Sequence, residues 1–229
     1  MRLLMSGLAA LIMAGICGLS AFFIIADKTR DHRADSAVAV PVTTRDISSQ
    51  QVDGRPLSLE EVFPDPLIRL VPGAAPYPIG MTHIDTDCDI ATTGTLGVLL
   101  DDHGCTQVVR ASLTAPYGDY RVTAGIFNLT RARDAAEIGD QLGDEVETGE
   151  SGFAAMATGL PGADPAVQPL AQAGWRSRGH FLAYCVVARP DGQVVRDDDP
   201  YARRITADLL ESYLDGTVIG KRAAASYRG

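Results

Sequence analysis

The residues best suited to chemistry in this 229-residue chain are its cysteines. Cys88, Cys105 and Cys185 lie in the part of the chain that reads as a folded domain, whereas Cys17 lies in an apolar run near the N-terminus. Three thiols could form one disulfide and leave one thiol over, or supply a nucleophile. The choice depends on whether the domain lies in an oxidising compartment.

Three disulfide pairings are open. We expect Cys105–Cys185 first, because Cys105 begins one predicted strand and Cys185 lies within another. Cys88–Cys185 comes second. Cys88–Cys105 comes third, because a continuous helix over residues 87–102 would separate these two residues by about 25 Å, whereas a disulfide needs Cα atoms about 5.5 Å apart. The third pairing forms only if the helix begins late, after Gly94.

The favoured pairing leaves Cys88 as the candidate free thiol. Cys88 follows Thr86, the expected N-cap of the predicted helix, and a helix N-terminus favours the thiolate form of a cysteine. Cys88 is therefore a candidate reactive residue. The alternative is a small buried side chain without a chemical role.

The stretch HIDTDC at residues 83–88 has the residue types of a metal site. However, Asp85 and Thr86 are explained as residues that begin a helix. The chain also lacks Cys-x-x-Cys, His-Glu-x-x-His, a phosphate-binding loop and a dinucleotide fingerprint. The sequence therefore predicts no metal site, no cofactor and no catalytic residue set.

The stretch GWRSRG holds the only tryptophan, Trp175, with Arg176 and Arg178 beside it. An indole ring and two guanidinium groups could stack on a ligand or bind an anionic group. These three residues are the candidate ligand-binding residues. In the alternative, Trp175 covers the core and the arginines balance nearby carboxylates.

The charge of the chain excludes one class of partner. The 20 Lys and Arg are outnumbered by 29 Asp and Glu, for a net charge of −9. Binding to nucleic acid calls for a clustered basic face, and no such cluster occurs. We therefore expect a protein partner, whose identity the sequence does not reveal, and no nucleic acid.

Residues 1–26 are predicted to anchor the chain in a membrane. The run LLMSGLAALIMAGICGLSAFFIIA carries no charge and spans about 36 Å as a helix, enough for a hydrocarbon core of about 30 Å. Cleavage as a signal peptide would leave Phe22 and Phe23 near the start of the mature chain, so we favour an uncleaved single-pass anchor.

The short basic N-terminus, typical of secretory signals, places the C-terminal domain outside the plasma membrane. Lys28, Arg30 and Arg33 after the anchor argue for the opposite orientation.

The remaining chain divides into a flexible linker, an arm, a domain and a tail. Residues 27–56 are charged and small, residues 57–81 are an irregular arm rich in proline, and residues 217–229 are a tail. Ser58 begins a capping box and predicts a short helix over 59–63. The domain, residues 82–216, alternates helical and β-branched segments: helix 87–102, strands 105–114 and 120–129, helix 130–142, strand 180–189 and helix 201–214.

This order predicts an α+β fold, in which a small antiparallel or mixed sheet of three to five strands is covered by helices on one face. A strand near residues 81–84 would complete a ferredoxin-like order. The strand at 180–189 is apolar on both faces and is expected to lie at the centre of the sheet.

The succession TDC, QVVRASL, YRVTAGIFNL and GHFLAYCVVAR, over residues 57–214, resembles uncharacterised single-pass envelope proteins of actinobacteria. That group has no assigned activity, so the resemblance implies an anchor and an outward domain but no catalytic residues. We expect a non-catalytic binding or accessory protein of the cell envelope. The alternatives are an envelope enzyme that uses a reactive thiol or carboxylates, and a structural subunit of a membrane complex.

Overall fold

A six-stranded antiparallel sheet forms the centre of the fold. A computed structural model of the chain describes residues 44–148, 151–156 and 171–225. The sheet has the order β1-β2-β4-β5-β8-β7, and β3 pairs with β6 in a separate two-stranded sheet. The strands are β1 (Leu67–Ile68), β2 (Tyr77–Asp85), β3 (Thr92–Gly94), β4 (Gln107–Thr114), β5 (Arg121–Asn128), β6 (Ser151–Phe153), β7 (Gln172–Arg178) and β8 (Phe181–Ala188).

The expected α+β class is confirmed, but the sheet exceeds the expected three to five strands and does not have a ferredoxin-like order. The predicted hairpin is confirmed, because β4 pairs with β5 from Gln107–Asn128 to Thr114–Arg121. Strand β8 lies between β5 and β7, and every one of its residues is buried, as its two apolar faces predict.

Helices cover both faces of the sheet, so the expectation of a single covered face is wrong. The helices are α1 (Leu59–Val62), α2 (Leu96–Asp102), α3 (Ala132–Thr148), α4 (Pro200–Thr206), a π-helix (Ala207–Ile219) and α5 (Gly220–Ala224). On one face, α2 and α3 bury Leu100 and Ile138 in a core with Phe127 and Tyr184. On the other face, α1 and the C-terminal helices bury a second core around Cys185. We call these the α3 face and the C-terminal face.

The described domain begins before residue 57. Residues 44–56, which the composition assigns to the linker, pack against the sheet: Ser49 pairs with Arg131, and Asp53 is buried. The capping box at Ser58 is confirmed, because its hydroxyl accepts a hydrogen bond from the Glu61 N–H at the start of α1. The expected anchor over residues 1–26 lies outside the described ranges. Within those ranges, no helix is long and apolar enough to cross a bilayer.

The predicted helix over residues 87–102 is wrong in its first half. The side chains of Asp85 and Asp87 each accept a hydrogen bond from the backbone N–H two residues later, which turns the chain instead of beginning a helix. A short 3-10 turn, Asp89–Ala91, and strand β3 follow, and Gly94 has a positive φ of 67°. Helix α2 begins only at Leu96.

This late start brings Cys88 and Cys105 together. They form a disulfide with a Cα–Cα distance of 6.4 Å across 17 residues of chain. A disulfide is therefore confirmed, but the expected Cys105–Cys185 pairing and the expected free thiol at Cys88 are both wrong. The free cysteine is Cys185, which is buried in β8.

The helix expected over 201–214 continues to Ala224. Asp199 is its N-cap and Pro200 its first residue, as predicted. Gly216, expected to end the helix, instead lies within the π-helix. There the Thr217 hydroxyl donates to the carbonyl of Ser212, five residues earlier, which matches the wider spacing of a π-helix. This continuation brings Arg222 into the domain.

Candidate functional site

A row of large side chains crosses the α3 face of the sheet. Strand pairing aligns His83 on β2, Arg110 on β4, Gly125 on β5, Tyr184 on β8 and Trp175 on β7. Neighbouring strands lie about 4.8 Å apart. Since β5 lies between β4 and β8, the backbones at Arg110 and Tyr184 are roughly 10 Å apart.

Gly125 allows Arg110 and Tyr184 to approach each other. A Cβ atom at Gly125 would lie 2.8 Å from the Tyr184 ring and 2.9 Å from the Cβ of Arg110. It would also lie 2.8 Å from the backbone oxygen of Val109. Since backbone cannot move aside as a flexible side chain can, Gly125 is required for the Tyr184 ring and the Arg110 stem to pack closely above β5.

Arg110 is a buried arginine in this row that has no carboxylate partner among the described residues. The residue is 7% exposed, and its Nε–H makes no hydrogen bond. Across residues 44–148, 151–156 and 171–225, Arg110 forms no ion pair with a carboxylate. Buried charges in proteins are ordinarily paired, so an unpaired guanidinium is an informative exception.

Two further atoms of the same row also have no partner. The Tyr184 hydroxyl and the Nδ1 atom of His83 are sealed from solvent and make no hydrogen bond. Burial raises the pKa of Tyr184 well above its usual value, and the adjacent Arg110 guanidinium, whose charge and N–H groups both favour the phenolate, offsets only part of this rise. Tyr184 therefore stays a neutral phenol whose O–H can donate.

Two hydroxyls from the adjacent row complete the cluster. Ser112 is 1% exposed, and its Oγ accepts a hydrogen bond of 3.0 Å from the Met81 N–H. Thr123 is 2% exposed, and its Oγ1 accepts one of 2.8 Å from the Met156 N–H. Each hydroxyl still has its own hydrogen to donate. We call Arg110, Ser112, Thr123 and Tyr184 the donor patch.

One acidic side chain lies near the donor patch. Asp85, on the same side of β2 as His83, has a lowered pKa, mainly because it accepts a hydrogen bond from the Asp87 N–H. The charge of Arg110 is a smaller cause of this lowering. Asp85 and Arg110 therefore influence each other at a distance without forming an ion pair.

Aromatic rings form one side of the donor patch. Phe153 of β6 stacks on Tyr184 with ring centres 4.7 Å apart and planes inclined by 11°. Phe127 stacks on the same ring at 5.0 Å. Trp175 lies beside Phe153, and its indole N–H donates to the Gly139 carbonyl of α3. These contacts hold the Tyr184 ring in one orientation.

The structure does not bring the predicted ligand-binding residues together. Trp175 lies on the α3 face, whereas Arg176 and Arg178 contact Asp215 of the π-helix, on the C-terminal face, at 3.2 Å each. This arrangement corresponds to the alternative, in which the indole covers the core and the arginines balance a carboxylate. The expectation that all three residues line one site is wrong.

Neither cysteine position offers a reactive thiol. Cys88 is bonded to Cys105, and Cys185 faces the C-terminal core, where burial raises its pKa to about 12. No group of three or more His, Cys, Asp or Glu side chains among the described residues is arranged to hold a metal ion.

A second buried charged cluster lies next to the start of β8. Arg222 of α5 donates to both carboxylate oxygens of Asp53, at 2.6 and 2.9 Å, and to both oxygens of Glu61, at 2.7 and 2.9 Å. It also donates to the Arg55 carbonyl, and Arg45 forms an ion pair with Asp53. The side chains of Arg222 and Asp53 are fully buried.

His180 completes this second cluster. Its Nδ1 lies 2.8 Å from the Leu129 carbonyl, which can only accept, so Nδ1 carries the hydrogen. Its Nε2 lies 3.3 Å from Asp53. Burial lowers the pKa of His180, and the weaker attraction of Asp53 does not restore it. We call Arg222, Asp53, Glu61, Arg45 and His180 the Arg222 cluster.

Sequence reasoning missed both clusters. Within QVVRASL, Arg110 reads as a polar position on a half-exposed strand. The signal that could have located it is Gly125 in the next strand, since an isolated glycine within a strand often marks close packing.

No known protein family, no curated protein and no solved structure matches this chain.

Proposed function

We propose that this protein is a membrane-anchored, extracytoplasmic and non-catalytic binding protein of the cell envelope, as its resemblance to actinobacterial envelope proteins implies, and that its ligand binds at the donor patch. The observation that carries the binding role is the guanidinium of Arg110, whose Nε–H makes no hydrogen bond and which has no carboxylate partner among the described residues. Holding an unpaired charge in a protein interior costs folding free energy, and such residues cluster at functional sites.

The disulfide supports the proposed compartment. Disulfides persist outside the cytoplasm and are rare within it, because cytoplasmic reductants keep thiols reduced. Cys88–Cys105 joins the start of the 3-10 turn to a residue two positions before β4, so it closes the segment that contains α2 next to the sheet.

The structure weakens the thiol-enzyme alternative. A nucleophilic cysteine must be accessible and must have a low pKa. Cys185 has neither property, and Cys88 is oxidised. A binding role is therefore preferred to thiol chemistry.

The structural-subunit alternative has one observation in its favour. Strand β1 pairs only with Tyr77 and Pro78 of β2, so the outer edge of β2 beyond Pro78 has no neighbouring strand among the described residues. Met81 and Ile84 on that strand are 45% and 39% exposed. Such an edge could accept a strand from a partner protein.

The compartment is tested by alkylating thiols in intact cells. A membrane-impermeant maleimide added after a reductant should label Cys88 and Cys105, and without reductant it should label neither. If the maleimide reacts with both cysteines in untreated cells, the proposed oxidised domain is wrong. If they are labelled only after the cells are lysed, the outward orientation is wrong.

Ligand binding is tested on full-length protein purified from its own membranes. Small molecules released on denaturation should be identified by mass spectrometry and compared with those from Arg110→Met. We expect one compound that is released by the unaltered protein and is depleted in the variant. Equal release from both proteins would contradict binding at the donor patch.

A further inference from the structure

We propose that the ligand of the donor patch carries a carboxylate group, which lies between Arg110, Tyr184 and the hydroxyls of Ser112 and Thr123. This inference rests on the proposed binding function and names the chemical class of its ligand. It is argued from hydrogen-bond inventory, charge and shape.

The side chains of the donor patch mainly offer hydrogen-bond donors. A guanidinium group only donates, and the Ser112 and Thr123 oxygens each already accept a backbone N–H. Tyr184 is a neutral phenol with an unbonded O–H. Arg110 can only donate, and each of the three hydroxyls has a hydrogen to donate, so the four side chains match a ligand that presents oxygen acceptors.

The charge of the patch favours a monoanion. Arg110 contributes one buried positive charge, and the nearest acidic side chain that senses it, Asp85, contributes negative charge to the same neighbourhood. A carboxylate carries one negative charge and neutralises Arg110. A phosphate group carries about −1.5 to −2 charges at neutral pH, and its excess negative charge would lie near the partly exposed carboxylate of Asp85.

The geometry of the Arg110 donors favours a planar group. The stem of Arg110 and the ring of Tyr184 pack together above Gly125, where a side chain would collide with both. A carboxylate is flat, and its two oxygens match the parallel donors of a guanidinium. Phe153 holds the Tyr184 ring in place, which reduces the ordering required on binding.

The test uses the full-length chain in lipid nanodiscs and three probes: butyrate, its uncharged amide butyramide, and inorganic phosphate. The Nε–H signal of Arg110 is followed by ¹⁵N nuclear magnetic resonance and is assigned by its loss in Arg110→Lys. We expect butyrate to move this signal in a saturable manner, and we expect butyramide to leave it in place.

Two variants and a matched control locate the binding. Arg110→Met should weaken butyrate binding by at least tenfold, and Tyr184→Phe, which removes one donor to a charged group, should weaken it roughly tenfold. Arg196→Met is the control, because Arg196 is highly exposed and pairs only with neighbouring Asp198. It should leave the affinity unchanged.

The outcomes separate this inference from the proposed function. If butyramide binds as well as butyrate, or phosphate binds more tightly, the carboxylate inference is overturned. The same holds if none of the probes moves the Arg110 signal. A compound without a carboxylate, released by the unaltered protein and depleted in Arg110→Met, would overturn the inference while leaving the binding function intact. If nothing is released and no probe binds, both are wrong.

Discussion

Two arginines are buried in this domain, and their surroundings are opposite. Arg222 binds two carboxylates and a backbone carbonyl, and its side chain is fully buried. Arg110 is almost as deeply buried and forms no ion pair with any described residue. Arg222 joins the N-terminal segment, α1 and α5, whereas Arg110 lies beside the neutral hydroxyl of Tyr184.

This difference indicates a structural role for Arg222 and, under the proposed function, a binding role for Arg110. A buried ion pair with complete hydrogen bonding costs little net free energy while intact and a great deal once one partner is removed. An unpaired buried charge opposes folding until a counter-ion binds. One arginine therefore holds the ends of the domain together, and under the proposed function the other binds a ligand.

Replacement of Arg222 should have the largest effect. Arg222→Met leaves the carboxylates of Asp53 and Glu61 without their main partner, and we expect a loss of about 3–5 kcal/mol in unfolding free energy. Urea denaturation measures this loss. Lys221→Met, at an exposed neighbouring position, is the control and should change little. Equal effects of the two variants would show that the Arg222 ion pairs contribute nothing.

Gly125→Ala tests the packing beneath the donor patch. The added methyl group collides with backbone as well as side chains, so we expect a loss of about 1–3 kcal/mol by the same measurement. The control is Gly143→Ala in α3, where a Cβ would meet no atom within 4 Å. That change should be neutral or should stabilise the helix by up to about 1 kcal/mol.

Arg110→Met should act in the opposite direction to Arg222→Met. Removal of an unsatisfied buried charge should raise the unfolding free energy of the ligand-free protein by about 1–3 kcal/mol. A rise in Tm together with loss of ligand would establish that Arg110 is kept for binding. A fall as large as that of Arg222→Met would show that the two arginines are equivalent, and the comparison would fail.

The pH dependence of stability should arise at the Arg222 cluster. Because His180 has a lowered pKa in the folded state, the unfolded chain binds the proton more readily below its ordinary value of 6.5. Stability is therefore complete above pH 6.5 and falls as the pH drops, by at most about 1.4 kcal/mol per pH unit.

The pKa of Asp53 is also lowered: burial raises it, but the hydrogen bonds and charge of Arg222 more than compensate. Protonation of Asp53 therefore causes a further loss of stability as the pH falls below its ordinary pKa of 3.8. Urea denaturation of unaltered protein and His180→Gln across this range should show a shallower decline near pH 6 in the variant. An unchanged decline would assign the effect to another group.

Local patterns predicted much of the fold. The β-branched runs placed β4, β5 and β8, and Ser58 and Asp199 marked two helix starts through the capping oxygens that the structure contains. The pattern failed at residues 86–95, where the same aspartates can cap a helix or close a turn. Gly94 and pairing between β3 and β6 favoured the turn, and no local signal reveals that pairing.

The two charged clusters depend on contacts between distant parts of the chain. Arg222 and Asp53 are separated by 169 residues, and Arg222 lies beyond the glycine expected to end its helix. The Arg110 row depends on the register of five strands, one of which, β7, reads as a loop because it contains Gly174 and two arginines. Register is set by tertiary pairing, which a single sequence does not display.

The Arg45 N–H donates to the Ala223 carbonyl at 2.7 Å, so the two ends of the described domain touch. A mechanical load applied at residue 44 would therefore strain the contacts with the last helical turn before it reached the sheet. The ion pairs around Asp53 would resist such a load first, so the hydrogen bonds between β4, β5 and β8 would be protected from it.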